Sequence, residues 1–324
     1  MLLAYPGVQA LDVTGPHEVF AGATAVLNSR RTGEQGYEVT VGAICAGPTR
    51  TESGMVIVAD ALDRTGEVDT LVVPGGSGVY DAAADERTVA AVTELAARTR
   101  RVVSVCSGAF LLAAAGLLDG RRVTTHWARA ERLAREHPSL DVDADAIWIR
   151  DGDVWTSAGV TAGIDVALAL VEDDHGVEVA ETVARWLVMF LRRPGGQSQF
   201  AAPVWRARAQ QPPVRRAQDL IEAEPGADHR VRVLAARVAM SERHFLRRFT
   251  AETGVTPACY IARTRVEAAR RELEATDETV ATIAARVGFG TAESMRRTFH
   301  RHLGTSPDDY RRRFARRPER KDPR

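Results

Sequence analysis

The sequence predicts an α/β domain, with a mostly parallel sheet covered by helices on both faces, followed by an all-α domain with two helix-turn-helix motifs. Three observations support this. Short apolar runs alternate with helical stretches up to residue 195, Pro, Gly and Gln are dense over 196–213, and an internal repeat lies within 214–318. A chain of 324 residues is also long for a single core.

The elements of the first domain are predicted from β-branched or apolar runs and from helical stretches bounded by Gly, Pro or charge. We expect strands at Leu2–Tyr5, Tyr37–Ile44, Thr70–Pro74 and Arg101–Cys106, and a hairpin that joins Ile147–Arg150 to Val154–Ser157. We expect helices at Pro16–Ser29, Arg87–Arg98, Ala109–Leu117, Trp127–His137, Ala162–Val171 and Val177–Leu191. Strands that alternate with helices indicate parallel pairing.

The net charge of zero hides an asymmetry between the two parts of the chain. Arg and Lys number 19 against 27 Asp and Glu up to Pro212, and 24 against 16 from Pro213 onward. A basic second part joined to an acidic first part indicates a polyanionic partner for the second part alone. Lys321 is the only Lys; the preference for Arg suits phosphate and guanine contacts, but a GC-rich coding bias explains it equally.

The second part contains a duplication of about 50 residues. Leu234-Ala-Ala-Arg-Val238 recurs as Ile283-Ala-Ala-Arg-Val287, an offset of 49. Four further residues recur at an offset of 50, so one extra residue falls between Val287 and Phe299; the pairs are Phe249 and Phe299, Gly254 and Gly304, Pro257 and Pro307, and Tyr260 and Tyr310. A repeated helical unit is the direct interpretation.

Each copy has the pattern of a helix-turn-helix. A first helix with apolar residues at i, i+3, i+4 and i+7 is followed by a short turn and then by an N-cap, Ser241 in one copy and Thr291 in the other. The second helix of each copy carries exposed Arg residues. An Arg-rich solvated face of a helical bundle is the alternative, and the duplication, the caps and the charge argue against it.

The stretch from Gly288-Phe-Gly-Thr-Ala-Glu-Ser-Met to Gly304-Thr-Ser-Pro-Asp-Asp-Tyr resembles the signature of AraC-family regulators, and the resemblance covers about 214–314. It implies that double-stranded DNA is the partner. By position it implies base contacts from Arg243, Leu246 and Arg247 and from Glu293, Ser294 and Arg297. It implies phosphate contacts from Ser241, Thr291 and Arg296, and we also expect Arg248 to contact DNA, from the same helix as Arg247.

A Cys stands at a sharp turn in the first domain. Arg101-Val-Val-Ser-Val-Cys106-Ser-Gly-Ala-Phe is predicted to be a strand, a turn and a helix, the geometry that holds a nucleophile over the end of a sheet. A helix that begins next to the thiol favours the thiolate form of Cys106. The alternative is a buried Cys that packs as a small apolar residue.

This domain resembles the PfpI-type class I glutamine amidotransferase-like superfamily over about 1–190. The resemblance rests on the Cys106 turn and on four further motifs: Leu11-Asp-Val-Thr-Gly-Pro-His-Glu18, Val72-Val-Pro-Gly-Gly76, Thr124-Thr-His-Trp127 and Ser157-Ala-Gly-Val-Thr-Ala-Gly-Ile-Asp165. Joined to an AraC module, it resembles the GlxA-type regulators. The resemblance implies a flavodoxin-like, amidotransferase-like sandwich. It also implies that Glu18 lies beside Cys106 and that the amides of Gly75 and Gly76 form an anion hole.

One departure from that superfamily bears on chemistry. The hydrolytic members have a His, the general base, directly after the Cys, and this chain has Ser107 there. We place one His of this chain, His126, near the pocket. The sequence therefore favours a regulator controlled by a small-molecule effector over an enzyme. A Cys106-dependent hydrolase or hydratase, or a thiol redox sensor, each with an attached DNA-binding module, remain alternatives.

The other expectations concern compartment and assembly. Three irregularly spaced Cys, no basic amino-terminal leader and no long apolar run favour a cytoplasmic protein with no membrane segment. No metal site or cofactor is expected. A homodimer through the N-terminal domain is implied by the family resemblance.

Overall fold

The computed structural model describes residues 1–30, 33–62, 66–193, 195–200 and 208–315. The chain forms two compact units, Met1–Gln197 and Ser198–Arg324. The sequence predicted domains at 1–195 and 214–318 with a linker at 196–213. Gln197, inside that predicted linker, is buried in the first unit, and a helix of the second unit begins at Pro212. Residues 201–207 and 316–318 of these predictions lie outside the described residues.

The first unit is built on an eight-stranded sheet in the order β3-β4-β2-β1-β5-β6-β10-β9. All neighbouring strands pair in parallel except the β3–β4 and β9–β10 hairpins at the two edges, which confirms the mostly parallel sheet. The strands are β1 Leu2–Leu3, β2 Val41–Ala43, β3 Gly47–Arg50, β4 Val56–Ala61, β5 Thr70–Val73, β6 Arg101–Val105, β9 Trp148–Asp151 and β10 Val154–Ser157; β7 Arg122–Val123 and β8 Asp141–Val142 form a separate parallel pair.

Helices pack on this sheet in two groups. The first group joins α1, α6 and α7, and the second joins α2, α3 and α4. The helices of the first unit are α1 Ala10–Arg30, α2 Val79–Ala84, α3 Glu86–Ala96, α4 Gly108–Ala114, α5 Trp127–Glu136, α6 Ala162–His175 and α7 Val177–Trp186. The sequence did not predict the β3–β4 hairpin, α2 or the β7–β8 pair, which are short elements with little periodic signal.

Helix α1 begins six residues before the predicted start at Pro16. Proline favours the first turn of a helix, but here Pro16 lies in the second turn, where its missing N–H costs one backbone hydrogen bond. The earlier start brings Asp12 into the first turn of α1, the helix that follows β1 along the chain. The carboxyl ends of the adjacent strands β1, β5 and β6 meet at the same edge of the sheet.

The opposite end of β6 is held by a buried ion pair. Arg101, in the first position of the strand, is 3% exposed and pairs with Asp174 near the end of α6. Tyr37 donates a hydrogen bond of 2.7 Å from its hydroxyl to the same carboxylate. A paired buried Arg is tolerated in a sheet because its charge is compensated and its N–H groups are bonded.

The second unit consists of seven helices within the described residues: α8 Pro212–Ala223, α9 Val231–Arg237, α10 Glu242–Thr253, α11 Pro257–Ala275, α12 Val280–Arg286, α13 Ala292–Leu303 and α14 Pro307–Phe314. The predicted duplication is confirmed in three dimensions. Phe249 packs edge-on against Tyr260 with the ring centres 5.4 Å apart, and Phe299 packs on Tyr310 in the same way at the same distance.

The extra residue of the second copy lies in its turn. Met240 N–H donates to the Ala235 carbonyl at 2.9 Å, and Phe289 N–H donates to the Ala284 carbonyl at 2.8 Å, which keeps the offset of 49. Gly290, with φ of +76°, then separates Phe289 from the cap of the next helix. The second turn is therefore one residue longer, at a position where the backbone conformation suits glycine.

Candidate functional site

The second helix of each motif, α10 and α13, is amphipathic and capped as predicted. Ser241 accepts a hydrogen bond from the backbone N–H of His244, and Thr291 accepts one of 3.1 Å from the N–H of Ser294. Each helix buries an apolar side, and the buried residues are Phe245, Phe249 and Thr253 in α10 and Met295, Phe299 and Leu303 in α13. The buried apolar side therefore anchors each helix to the core of the unit, and the opposite side faces solvent.

The solvent side of α10 and α13 is cationic. The predicted DNA contacts are exposed except Ser294, which is half-buried; they are Ser241, Arg243, Leu246, Arg247, Arg248, Thr291, Glu293, Arg296 and Arg297. Within the described residues, Arg243, Arg247, Arg248 and Arg297 make no ion pair, whereas Arg296 lies 3.8 Å from Asp308. Arginines without a carboxylate partner are available to phosphate or guanine.

The first unit places the Cys106 side chain at a strained turn between β6 and α4. Cys106 has φ of +56°, a left-handed conformation that is rare for a non-glycine residue and that is concentrated at functional sites. Its backbone N–H donates to the carbonyls of Ser157 and Ala158 at 3.1 Å, and its carbonyl accepts a 2.6 Å bond from the Thr125 hydroxyl. These bonds hold the predicted strand-turn-helix geometry.

The acidic residue beside Cys106 is Asp12, which corrects the prediction of Glu18. Asp12 is fully buried and its Oδ2 accepts a 2.9 Å hydrogen bond from the Gly75 N–H, whereas Glu18 is exposed on α1. Oδ1 of Asp12 is buried and has no hydrogen-bond partner within the described part of the chain. Burial, and the nearby Glu52 carboxylate, raise the pKa of Asp12 from 3.8 to about 7, although the Gly75 amide and the Cys106 thiol partly oppose this.

The surroundings of Cys106 favour its protonated thiol over the expected thiolate. Burial and the adjacent Asp12 raise the pKa of Cys106 from 9.0 to about 12. The amides of Ser107 and Val160 lower this pKa, but by less.

The two glycine amides predicted as an anion hole already have acceptors in the chain itself. The Gly75 N–H donates to Asp12, and the Gly76 N–H donates to Oγ of Ser107 at 3.1 Å. A Cβ on Gly75 would lie 2.6 Å from the Ser107 nitrogen, so the glycine is required by the close approach of two turns. Ser107 thus occupies the space next to Cys106 as a buried hydroxyl.

His126 lies near the turn as the N-cap of α5. Its Nδ1 accepts a hydrogen bond of 3.2 Å from the Ala128 N–H, and its ring lies against Gly159, where a Cβ would collide with it. Burial, together with the charge of Arg129, lowers the pKa of His126. The ring is therefore neutral near pH 7, with Nδ1 engaged as the cap acceptor.

No three His, Cys, Asp or Glu side chains form a group suited to a metal ion in the part of the chain that the structure describes. Among the same residues there is no helix with the length and hydropathy that crossing a membrane requires.

Comparison with known proteins assigns both units. Residues 1–173 match the DJ-1/PfpI family, and residues 234–313 match a family described as a helix-turn-helix domain. The chain is 38% identical over 277 residues to the HTH-type transcriptional regulator Rv1931c of Mycobacterium tuberculosis, which covers 81% of this chain and 100% of that protein. The predicted combination of a PfpI-type domain with a helix-turn-helix module is confirmed.

Two further similarities concern the first unit most directly. The chain is 37% identical over 183 residues to isonitrile hydratase of Pseudomonas putida, which covers 56% of this chain and 74% of that protein. The crystal structure of a THiJ/PfpI family protein from Pseudomonas syringae matches with a TM-score of 0.52 and 26% identity, over 78% of this chain and 89% of that one. The chain therefore belongs to the DJ-1/PfpI family and is a DNA-binding transcriptional regulator of the helix-turn-helix type.

Proposed function

We propose that the first unit binds a small polar metabolite at Cys106 and that its binding changes how the second unit engages DNA. The observation that supports the proposal is the buried carboxylate of Asp12 beside Cys106: its Oδ1 makes no hydrogen bond of ordinary geometry within the described residues, although the Cys106 thiol and the Val160 amide lie near enough to lower its pKa. An unpaired buried polar atom is costly, and a ligand with an N–H or O–H group satisfies it. The proposal includes a cytoplasmic location and a homodimer formed through the first unit.

The ligand site is tested with a thermal-shift screen of small amides, amines and hydroxy compounds against the full-length protein. Compounds that raise the melting temperature are measured again with Asp12→Asn, and then in a DNA-shift assay on the upstream region of the gene. We expect binding to weaken in Asp12→Asn and to remain in Glu18→Gln, which changes an exposed carboxylate on the same helix. Equal binding to Asp12→Asn, or ligands without effect on DNA affinity, would contradict the proposal.

The DNA-reading side chains are tested separately with Arg247→Ala and Arg297→Ala. Each removes one exposed guanidinium, and we expect a loss of about 1–3 kcal/mol, roughly 5- to 150-fold in affinity, if the Arg reads guanine. Arg286→Ala is the matched control because Arg286 pairs with Glu272 and Glu278 in the same unit. Unchanged DNA affinity in both variants would exclude these residues from the interface.

A second candidate function is hydration at Cys106. It is favoured by the half-buried Cys106 beside the buried Asp12 and Ser107 and by the likeness to a protein named isonitrile hydratase. Hydration of an isonitrile adds one water to the terminal carbon and gives an N-substituted formamide. The raised pKa of Asp12 suits it to move a proton near neutral pH.

The hydration candidate is tested by incubating the full-length protein with a simple alkyl isonitrile and measuring formamide. Turnover that disappears in Cys106→Ala and Asp12→Asn supports it, and an absence of turnover by the wild type rejects it. The redox-sensor alternative predicts DNA affinity that changes with peroxide and becomes insensitive to it in Cys106→Ala.

A further inference from the structure

The last residue of the first unit, Gln197, is inserted into that unit by its side chain. Gln197 is 3% exposed, and its Nε2 lies 2.9 Å from the carbonyls of both Thr125 and Ala146 and 3.2 Å from the Thr124 hydroxyl. Its Oε1 accepts a 2.8 Å bond from the Trp127 N–H. The amide is thus bonded at both ends, in a place where an unbonded amide would be costly.

The segment that Gln197 holds is one wall of the Cys106 site. The Thr125 hydroxyl donates to the Cys106 carbonyl at 2.6 Å, and His126 lies between the two residues whose backbone bonds to Gln197. The His126 ring in turn lies against Gly159. Residues 124–127 are hydrogen-bonded to Cys106 on one side and to Gln197 on the other. A displacement of this segment therefore moves both residues.

Arg193, four residues earlier, is attached to the other side of the same site. Its Nη2 forms an ion pair of 2.6 Å with Oδ2 of Asp165, which is 3% exposed, and both Nη atoms lie 3.3 Å from the Thr161 hydroxyl. Thr161 directly follows Val160, whose backbone amide acts on both Asp12 and Cys106. Residues 193 and 197 thus bond to the two segments that flank the Cys106 turn.

We propose that Arg193 and Gln197 are positioning residues that couple the Cys106 site to the connection with the second unit, an inference that rests on the proposed function. The chain continues from Gln197 directly to Ser198, where the second unit begins. A buried amide bonded on both sides has two discrete states, held or released, because partial release leaves its polar atoms unpaired. A ligand at Cys106 that shifts 124–127 changes the balance between these states.

The coupling is tested without knowing the ligand, by loading Cys106 with phenylmercury. Phenylmercuric acetate binds the thiol sulfur and releases its proton as acetic acid, which places a phenyl group at Cys106, beside Asp12. The full-length protein carries Cys45→Ser and Cys259→Ser, so that Cys106 alone reacts. DNA affinity on the upstream region is measured before and after loading, in this background and in Gln197→Met, which keeps the side-chain length and removes the hydrogen bonds.

We expect loading to change DNA affinity at least 5-fold in the background protein, which corresponds to roughly 1 kcal/mol. In Gln197→Met we expect a change of less than about 2-fold, which corresponds to less than half of that free energy. Arg193→Ala is the second coupling variant and is used in the same way if Gln197→Met does not fold. Arg192→Ala is the matched control, because the exposed Arg192 pairs with the half-buried Glu172 and should keep the full change. A general loss of structure would also lower the unloaded DNA affinity, so the ratios are compared only among variants that bind DNA as the background protein does before loading.

An equal change in the background protein and in both coupling variants overturns the inference and leaves control through the Cys106 site standing. No change on loading in any protein that still binds DNA overturns both. A change lost equally in Arg192→Ala also overturns the inference, since any alteration of the connecting segment would then suffice.

Discussion

The pH dependence of stability should reveal the buried carboxyl of Asp12, and Asp12→Asn removes it. Below about pH 4 the carboxyl is protonated in both the folded and the unfolded chain. Above about pH 7 it is ionised in both, and the folded state carries the full cost of burying the charge. A pKa moved from 3.8 to about 7 corresponds to about 4 kcal/mol, so the free energy of unfolding falls by this amount as the pH rises through that window.

The Cys106 thiol does not add to this dependence between pH 5 and 8, because its raised pKa keeps it protonated in the folded state and its ordinary value of 9.0 keeps it mostly protonated in the unfolded chain. Asn at position 12 still accepts the hydrogen bond from Gly75 and carries no charge. We therefore expect the stability gained by Asp12→Asn, relative to wild type, to be about 2–3 kcal/mol larger at pH 8 than at pH 5.

The assay is urea unfolding at the two pH values, followed by tryptophan fluorescence. This signal reports mainly the first unit, because Trp127, Trp148, Trp155 and Trp186 lie there. Glu18→Gln is the control and should follow the wild type, since its side chain faces solvent on the same helix. A difference between Asp12→Asn and wild type that is the same at pH 5 and pH 8 would refute the raised pKa and the role that we give to burial.

Three further predictions concern packing and capping. Phe299→Ala should destabilise the second unit by about 3–5 kcal/mol in urea unfolding, because the ring is fully buried against Tyr310, and a loss below 1 kcal/mol would contradict that packing. Gly75→Ala should destabilise the first unit by about 1–3 kcal/mol, since its Cβ would meet the Ser107 nitrogen; an unchanged melting temperature would show that the turns can separate at no cost. Thr291→Ala should cost about 1 kcal/mol and weaken DNA binding, whereas Thr291→Ser should retain both, and equal behaviour of the two would argue against the cap.

The duplication and its caps were predictable because they depend on local chemistry. A hydroxyl that accepts from the third following N–H needs only the residues of one turn, and Ser241 and Thr291 stand directly before amphipathic stretches. The strand, turn and helix around Cys106 were predictable for the same reason. A run of β-branched residues before Cys106 and small residues after it leave few other conformations.

The prediction of Glu18 beside Cys106 failed because it depends on which face of α1 is buried. The buried residues Asp12, Pro16, Val19, Ala23 and Leu27 follow the helical repeat of three and four, and Glu18 does not. This signal was present in the sequence, but a helix started at Pro16 places Asp12 in a loop and hides it.

The role of Gln197 had no local signal. Its neighbours are Gly, Ser and Gln, a composition typical of linkers, and only the fold brings Thr125 and Trp127 to its amide. Likewise, nothing in the order of residues shows that the amides of Gly75 and Gly76 already have acceptors. Both facts depend on contacts between segments far apart in the chain.

Helix α11 belongs to both copies of the duplicated unit at once. Tyr260 near its start is buried in the first core and Leu273 near its end in the second, so the two motifs share one element of 19 residues, about 28 Å long. The distance between α10 and α13 is therefore set by a helix that neither of them contains. For the proposed DNA contacts, we expect substitutions on α10 or α13 to change which bases are preferred and to leave the spacing of the two bound DNA segments unchanged.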